Sequence, residues 1–543
     1  MKNTMQLTLL VAGLQVAGLT TSFPVLAQLA PDAGTSLELL RRQPQPLPLG
    51  PALTVPEIEM AKTLGGQAVQ IRAVVLRGNT RLTTESVLEA VGTTQAIGQP
   101  LNIDGLRALA DRVAGYYREQ GFPFARALVP VQDLKDGRLV IQVVEGQYGK
   151  VLAKSADVPL AETAQGFLGS LVTGEVIASP ALERATLLIS DLPGVSVVPV
   201  MKPGAQTGAG DLDVLVEQVQ TSTASVSVDN HGSRYTGPYR VQFNGAINRA
   251  FTVGDQLSLT GIAPVQGLWV GSLNYGLPLG SDGLRAQVGV SRLHYKLRED
   301  FEGFNAQADV RSFTLSYPLI RSRALNLSAA LAYQNKELKD VSTFQSVNKK
   351  AEVTPLTLSF DQRDALLDGG LSYGALSAVS GKVNAGAGAQ TFTKWTLDAA
   401  RIQQLGEGWS LYGRWFQQYT SDNLDSSEKA LLGGASGVRA YPSGEAAGDK
   451  AQLLQAELRY SAGAWSPYAF YDHGKVKVDA RPDLVSLPSA DKTRSGAGFG
   501  LRYQDGPLSW NAALAWRTRG GVPEVDAKTA DKPRVWFEMR YAF

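Results

Sequence analysis

Arg534 to Phe543 reads RVWFEMRYAF. Val535, Phe537, Met539, Tyr541 and Phe543 alternate with Arg534, Trp536, Glu538, Arg540 and Ala542. A period of two sends each set to its own face of a strand, one apolar and the other mostly polar or charged. Leu508, Trp510, Ala512, Leu514 and Trp516 repeat the pattern against Ser509, Asn511 and Arg517, as do Leu454, Ala456, Leu458 and Tyr460 against Gln455, Glu457 and Arg459. Aromatic residues gather at the strand ends. Helical period is absent from Ser222 onward. About sixteen such segments follow at roughly 20 residues each, which suits a spanning strand of ~9–11 residues plus its loop. A β-sandwich core needs fewer strands, and a propeller would show a blade repeat. The expected fold is an all-β transmembrane barrel of about 16 antiparallel strands, covering residues 221–543.

Gly433 to Asp449 (GGASGVRAYPSGEAAGD) interrupts this alternation. It is too rich in Gly and Ala for a strand or a helix, and its glycines permit tight turns and close backbone approach. Its one cation is Arg439, flanked by Val438 and Tyr441. Such a loop can bind phosphate, fold over a substrate or lie solvated at the surface. The alternating strands on both sides argue against the last.

The chain has 543 residues, 44% hydrophobic and 19% charged, with net charge +2. That is long enough for several domains and too balanced to signal nucleic-acid binding. Cysteine is absent, which excludes disulfides, thiolate metal sites and a Cys nucleophile. His231, His294 and His473 lie far apart without ligand spacing, so no metal centre is expected. Gly370-Leu371-Ser372-Tyr373-Gly374 matches the GxSxG nucleophile elbow, yet it lies within a strand pattern with no helix after it. Asp361, Asp364 and Asp368 lack calcium-loop spacing and read as a solvated turn. No cofactor and no catalytic set are expected, so the chain does not read as an enzyme.

Lys2, the apolar stretch Leu7 to Leu19 and the small-residue site Val25-Leu26-Ala27 read as a signal peptide over residues 1–27. No apolar run of ~18 residues follows it. Ala30 to Gln43 reads as a short amphipathic helix capped by Asp32, with Leu37, Leu40, Arg41 and Arg42 on its later turns. At about 14 residues it must dock to persist. Pro44, Pro46, Pro48, Pro51 and Pro56 then make a stiff linker over residues 44–66.

Two units of strand, helix, helix, strand, strand follow. The first (67–147) has a strand at Gln70 to Leu76, helices at Leu82 to Val91 and from Asn102 or Asp104 to Gly121, and strands at Phe124 to Val131 and Arg138 to Glu145 joined by an Asp136-Gly137 hairpin turn. The second (148–220) has strands at Tyr148 to Ala153, Val195 to Met201 and Leu212 to Val219. Its helices cover Leu160 to Leu171 and a segment opened by Ser179-Pro180. Each small sheet leaves edge strands that can accept an extended peptide, and a plain spacer is the competing use.

This order resembles the two-partner secretion transporters, the TpsB proteins of the ShlB/FhaC/HecB type, within the outer-membrane insertase superfamily. In that family the βααββ units are POTRA domains. The resemblance spans essentially the whole mature chain. Its most specific piece is Val438-Arg439-Ala440-Tyr441, similar to the family's VRGY motif with Ala440 in place of Gly. Phe470-Tyr471-Asp472-His473-Gly474 is similar to the FxDxG strand motif, and Asp229-Asn230-His231-Gly232 to the first-strand DNxG segment. Tyr275-Gly276-Leu277-Pro278 and Tyr317-Pro318-Leu319 are similar to the YxLP strand ends. The resemblance implies that residues 28–43 plug the barrel and that periplasmic POTRA domains capture an unfolded exoprotein. It further implies that the barrel exports this partner to the cell surface; with no nucleotide motif in the sequence and no ATP in the periplasm, the coupling is expected to be passive. Outer-membrane lipid, the barrel assembly machinery during biogenesis and a monomeric state are the other expected partners and form. Tyr541 and Phe543 are the expected C-terminal signal. A barrel assembly factor shares these motifs but usually has more POTRA domains, and a porin would not need two.

Strand geometry adds to this. With both barrel termini in the periplasm, Trp409 to Gln418 is the eleventh strand and Gln452 to Tyr460 the twelfth. Arg439, with Gly433 and Gly434, then lies in the sixth extracellular loop. Phe470 and Asp472 share parity on the next strand, and Gly496, Gly498 and Gly500 on the one after, leaving room for a folded loop. A buried Arg needs a partner, which Asp472 could supply, with Phe470 offering an aromatic face.

Overall fold

The computed structural model describes residues 32–38, 45, 68–264, 267–342, 345–385, 388–485, 490–526 and 533–543. The signal peptide, most of the linker and the remainder of the expected plug helix, with Leu40, Arg41 and Arg42, lie outside them.

The first small domain runs Ala73–Arg77, Thr84–Ala90, Ile103–Glu119, Arg126–Leu128 and Arg138–Val144, with an extra helix at Thr93–Ala96. Thr83 and Asn102 cap the two longer helices by accepting from Ser86 and Gly105 amides, which fills donors that a helix start leaves free. Leu106, Leu109, Val113 and Tyr117 pack on Leu139 and Ile141. Arg138–Val144 is the central strand, parallel to Ala73–Arg77 and antiparallel to Arg126–Leu128. Two expectations are corrected here. The strand expected at Phe124 to Val131 shortens to Arg126–Leu128, and Asp136-Gly137 is not a tight hairpin turn. Beyond Leu128 the Gln132 side chain replaces the strand, accepting from Val140 N and donating to its carbonyl, both at 2.8 Å. The Gly137 carbonyl serves the amides of Arg72 and Ala73 instead.

The second domain repeats the topology with Gln147–Lys154, Val158–Phe167, Ser179–Ser190, Val195–Pro203 and Ala209–Gln218. Its second helix is capped by Ala178, not by Ser179. The Ser179 amide donates to the Gly121 carbonyl of the first domain at 2.8 Å, which ties the two domains together.

Sixteen antiparallel strands, from Ser222–Asp229 to Arg534–Ala542, close into a barrel. Strands six to ten (Asn305–Arg321, Leu325–Val341, Ser346–Asp364, Gly370–Ala385 and Gly388–Gly406) have 16 to 19 residues, well beyond the ~9–11 that cross a bilayer. The closing pair is short, joining Ser225–Asp229 to Glu538–Ala542. The Asn230 side chain prolongs it, accepting from Phe537 N (2.8 Å) and donating to Val535 O (2.9 Å). Exposed Trp409, Trp465 and Tyr541 mark one rim of the outer face, and Trp395 and Tyr419 the other, as aromatic girdles do.

The second small domain sits on the turns after strands two, four and six. Arg321 forms a bidentate pair with Asp191 (2.7 and 2.9 Å), and Arg184 donates to Pro318 O (2.9 Å) and the Tyr317 hydroxyl (3.2 Å). Leu192 packs by Pro278 over Gly254, and Leu188 by Pro318 over Gly283. The tyrosine-proline strand ends are thus where this domain docks. The odd-to-even connections, including residues 421–449, lie at the opposite rim.

Candidate functional site

The connection between strand eleven (Trp409–Thr420) and strand twelve (Lys450–Tyr460) holds Arg439. Asp425 in it pairs with Lys349 of strand eight, Glu428 with Lys336 and Lys394 of strands seven and ten, and Glu445 with Arg494 of strand fourteen. Partners spread over so many strands are reachable only from inside the barrel, so the loop fills the lumen.

Arg439 is buried at its centre. Its Nε and Nη2 donate to the two oxygens of Asp472 at 2.8 and 2.6 Å, and its amide donates to the same carboxylate at 3.0 Å. Nη1 donates to Glu457 at 2.5 Å. The guanidinium carbon lies 3.6 Å from the Phe470 ring centroid, a cation–π contact. The Arg439 carbonyl accepts from the Trp536 indole at 2.7 Å. Each of the three guanidinium nitrogens donates to a carboxylate, as a buried guanidinium requires.

Glu457 was missed in the sequence, although its polar parity on strand twelve was plain. It also binds Arg459 (2.7 Å) and Arg502 (2.9 Å), so one carboxylate faces three guanidinium groups. Arg414 extends the network to Asp398 (2.8 Å) and Ser436 O (2.9 Å).

The remaining loop residues explain its winding. Gly434 adopts φ +112°, a conformation for which side chains are strained. Gly433 lies against Pro442 and Glu445. Val438 packs with Leu432 over Gly474 on strand thirteen (Trp465–Lys477). Tyr441 is fully buried and donates to Arg519 O at 2.9 Å. Ala440 does not have a positive φ, so its methyl carries no backbone strain. A Cβ on Gly496 would stand 2.3 Å from that methyl, and here the glycine does make room for the loop. Gly498 and Gly500 do not. They are register partners of Phe470 and Tyr468, whose rings lie over them. A cavity of about 960 Å³ remains between loop and wall, lined by Arg414, Arg439, Glu457, Arg502 and Tyr468.

Helix Ala33–Glu38 is seated beside the loop. Asp32 caps it through Thr35 N (2.8 Å) and bonds Ser426 of the loop, while Ala33 N donates to Asp340 of strand seven (2.9 Å). Gly34 faces the Ser427 backbone so closely that a Cβ would stand 2.4 Å from its nitrogen. Leu37 packs on the apolar cluster of Tyr295, Leu268 and Ala306. Ser372 of the GxSxG match lies in a strand and its hydroxyl accepts from Arg401 at 2.7 Å. Asp364 is paired with Arg401 and Asp361 with Arg363. Among the described residues no acidic or histidine group has the arrangement of a metal site.

The model of the haemolysin secretion/activation proteins ShlB/FhaC/HecB matches residues 208–503, more than half of the chain. The chain belongs to this family. The ShlB-type POTRA domain model matches residues 69–146. The chain is 26% identical to the heme/hemopexin transporter protein HuxB of Haemophilus influenzae, over 97% of both chains. It is 25% identical to the outer membrane transporter CdiB of Escherichia coli, over 93% of this chain and 87% of that one. The solved structure of CdiB from Escherichia coli superposes with a TM-score of 0.69 at 22% identity, covering 94% and 95%. BamA from Haemophilus ducreyi lacking POTRA domains 1–3 shares the fold at TM-score 0.51 and 13% identity, over 88% of this chain and 100% of that one. As a ShlB/FhaC/HecB protein, the chain is an outer-membrane two-partner secretion transporter with its POTRA domains in the periplasm.

Proposed function

We propose that the chain exports one large exoprotein of the haemolysin, adhesin or haem-binding class as an extended polypeptide through its own lumen. The observation that carries this is that, among the described residues, the 421–449 loop and helix Ala33–Glu38 occupy the lumen without being wall. The helix is attached through a few polar contacts and one small apolar face, and the proline-rich linker lets it leave. The POTRA sheets capture the partner's N-terminal region as an added strand, and folding outside the cell gives direction without ATP. Haem-binding cargo is the class to try first, because the chain is similar to HuxB, a heme/hemopexin transporter protein by name. Arg439, with Asp472 and Glu457, holds the loop in its transport position. The barrel reaches the membrane as a monomer through the assembly machinery, with Tyr541 and Phe543 as its signal.

The test is co-expression with a candidate exoprotein in a host that lacks both. Export should require this chain and should vanish when residues 69–145 are deleted, while the barrel remains inserted and heat-modifiable. Normal export without that segment would show that capture happens elsewhere.

A further inference from the structure

Lumen-facing and lipid-facing residues alternate in a membrane barrel, so parity fixes where each side chain points. On strand twelve Ala451, Leu453 and Glu457 are buried while Leu454 and Leu458 are exposed, which puts Lys450 and Gln452 on the outer face. On strand thirteen Phe470, Asp472 and Val476 are buried while Tyr471 is exposed, which puts Lys475 and Lys477 outside. Lys450 and Lys477 are register partners, and Gln452 with Lys475 is the next pair on that face. Three ammonium groups therefore share one patch, two of them directly opposite each other. Like charges so placed destabilise a strand pair. The positions flanking Lys475 are Gln452 and Thr493, neither of them charged. Among the described residues no salt bridge reaches the three lysines, and nearby Asp449 and Asp479 are taken by Lys429 at 2.8 and 3.7 Å.

Their height on the wall is as telling as their charge. Lys450 Nζ lies 4.7 Å from the Tyr419 ring centroid, and Tyr419 with its register partner Trp395 belongs to the girdle on the loop rim, away from the POTRA domains. Aromatic girdles mark where the hydrocarbon ends and headgroups begin. The unbalanced cations thus stand at headgroup level on the cell-surface side.

We propose that Lys450, Lys475 and Lys477 bind the phosphate groups of a phosphorylated glycolipid of the outer leaflet. Lysine suits the task, because its stem runs along the apolar wall while a compact charge reaches the phosphate in a charge-assisted hydrogen bond. The bound lipid relieves the repulsion between Lys450 and Lys477 and clamps strands twelve and thirteen. Those strands carry Glu457 and Asp472, both carboxylate partners of Arg439.

The experiment measures thermal unfolding of the full chain in phosphatidylcholine vesicles supplemented with lipid A, dephosphorylated lipid A, phosphatidylglycerol or inorganic phosphate. Lipid A alone should raise the midpoint by several degrees. K450Q/K475Q/K477Q should lose that rise, K475Q should lose part of it, and the triple Arg variant should keep it. No rise in the wild type, or an undiminished rise in both Gln variants, would overturn the proposal. An equal rise with dephosphorylated lipid A, with phosphatidylglycerol or with phosphate alone would also overturn it, assigning the effect to acyl chains, to anionic headgroups in general or to a free ion. If the triple Gln variant does not insert, K475Q decides.

Discussion

The amide and the guanidinium of Arg439 both donate to the single carboxylate of Asp472, at 3.0, 2.8 and 2.6 Å. Asp472 therefore fixes the backbone of the loop as well as its one charged side chain. Glu457 grips only the far end of the guanidinium.

This asymmetry ranks the variants. Removing one partner of a buried ion pair costs about 3–5 kcal/mol, here expressed as loop displacement, because the closed barrel keeps its own hydrogen bonds. Arg439→Ala and Asp472→Ala should each cut secretion at least tenfold at normal outer-membrane levels. Their double variant should be little worse than either. Glu457→Gln should be milder, since it leaves the bidentate pair intact. Immunoblots of culture supernatant against outer-membrane fractions check this, and additive defects in the double variant would contradict it.

Ala440 and Gly496 give a compensation test. Gly496→Ala puts a methyl 2.3 Å from that of Ala440, which forces the loop off the wall. Secretion should fall several-fold, and adding Ala440→Gly should restore most of it. A Gly496→Ala chain that secretes normally would mean the loop has slack there.

If the Ala33–Glu38 helix plugs the barrel, a single residue should be enough to dislodge it. Gly34→Leu would drive a side chain into the Ser427 backbone, so single-channel conductance in planar bilayers should rise as it does on deleting residues 30–43. Unchanged conductance in both chains would remove the plug role.

The barrel was legible because alternation is a local property, and RVWFEMRYAF shows it without any knowledge of partners. The odd member of its polar face, Trp536, was a signal left unused, for it points inward to the Arg439 carbonyl. Glu457 was missed for a different reason. Parity names the face of a residue, but only strand register sets its height, and Glu457 stands opposite Phe470 while Asp472 stands opposite Gln455. Register also decided that the Phe470 and Tyr468 rings, and not the loop, would cover Gly498 and Gly500. The Asp136-Gly137 turn failed because a glutamine side chain can stand in for a strand, which no local turn rule contains.

Acid should loosen the first POTRA domain. Burial alone would push the Glu145 carboxyl up, but bonds from Thr80, Arg81 and Tyr117 outweigh it and hold the pKa below the usual 4.5. A depressed carboxylate contributes stability above its unfolded pKa and loses it as pH falls through the folded value. Hydrogen exchange across residues 73–145 should therefore be constant from neutral pH down to about 5 after correction for intrinsic rates, then accelerate below that. Glu145→Gln should exchange faster at neutral pH and lose most of the pH dependence.

Strands six and seven meet both accessory elements, one at each end. Arg321 at the foot of strand six holds Asp191 of the second POTRA domain, and Asp340 near the top of strand seven holds the first amide of the Ala33–Glu38 helix. The ion pairs of the lumenal loop fall on strand seven and those beyond it. One hairpin of the wall thus touches a periplasmic domain at its foot, and the Ala33–Glu38 helix and the lumenal loop nearer its top, so all three elements share a single stretch of barrel.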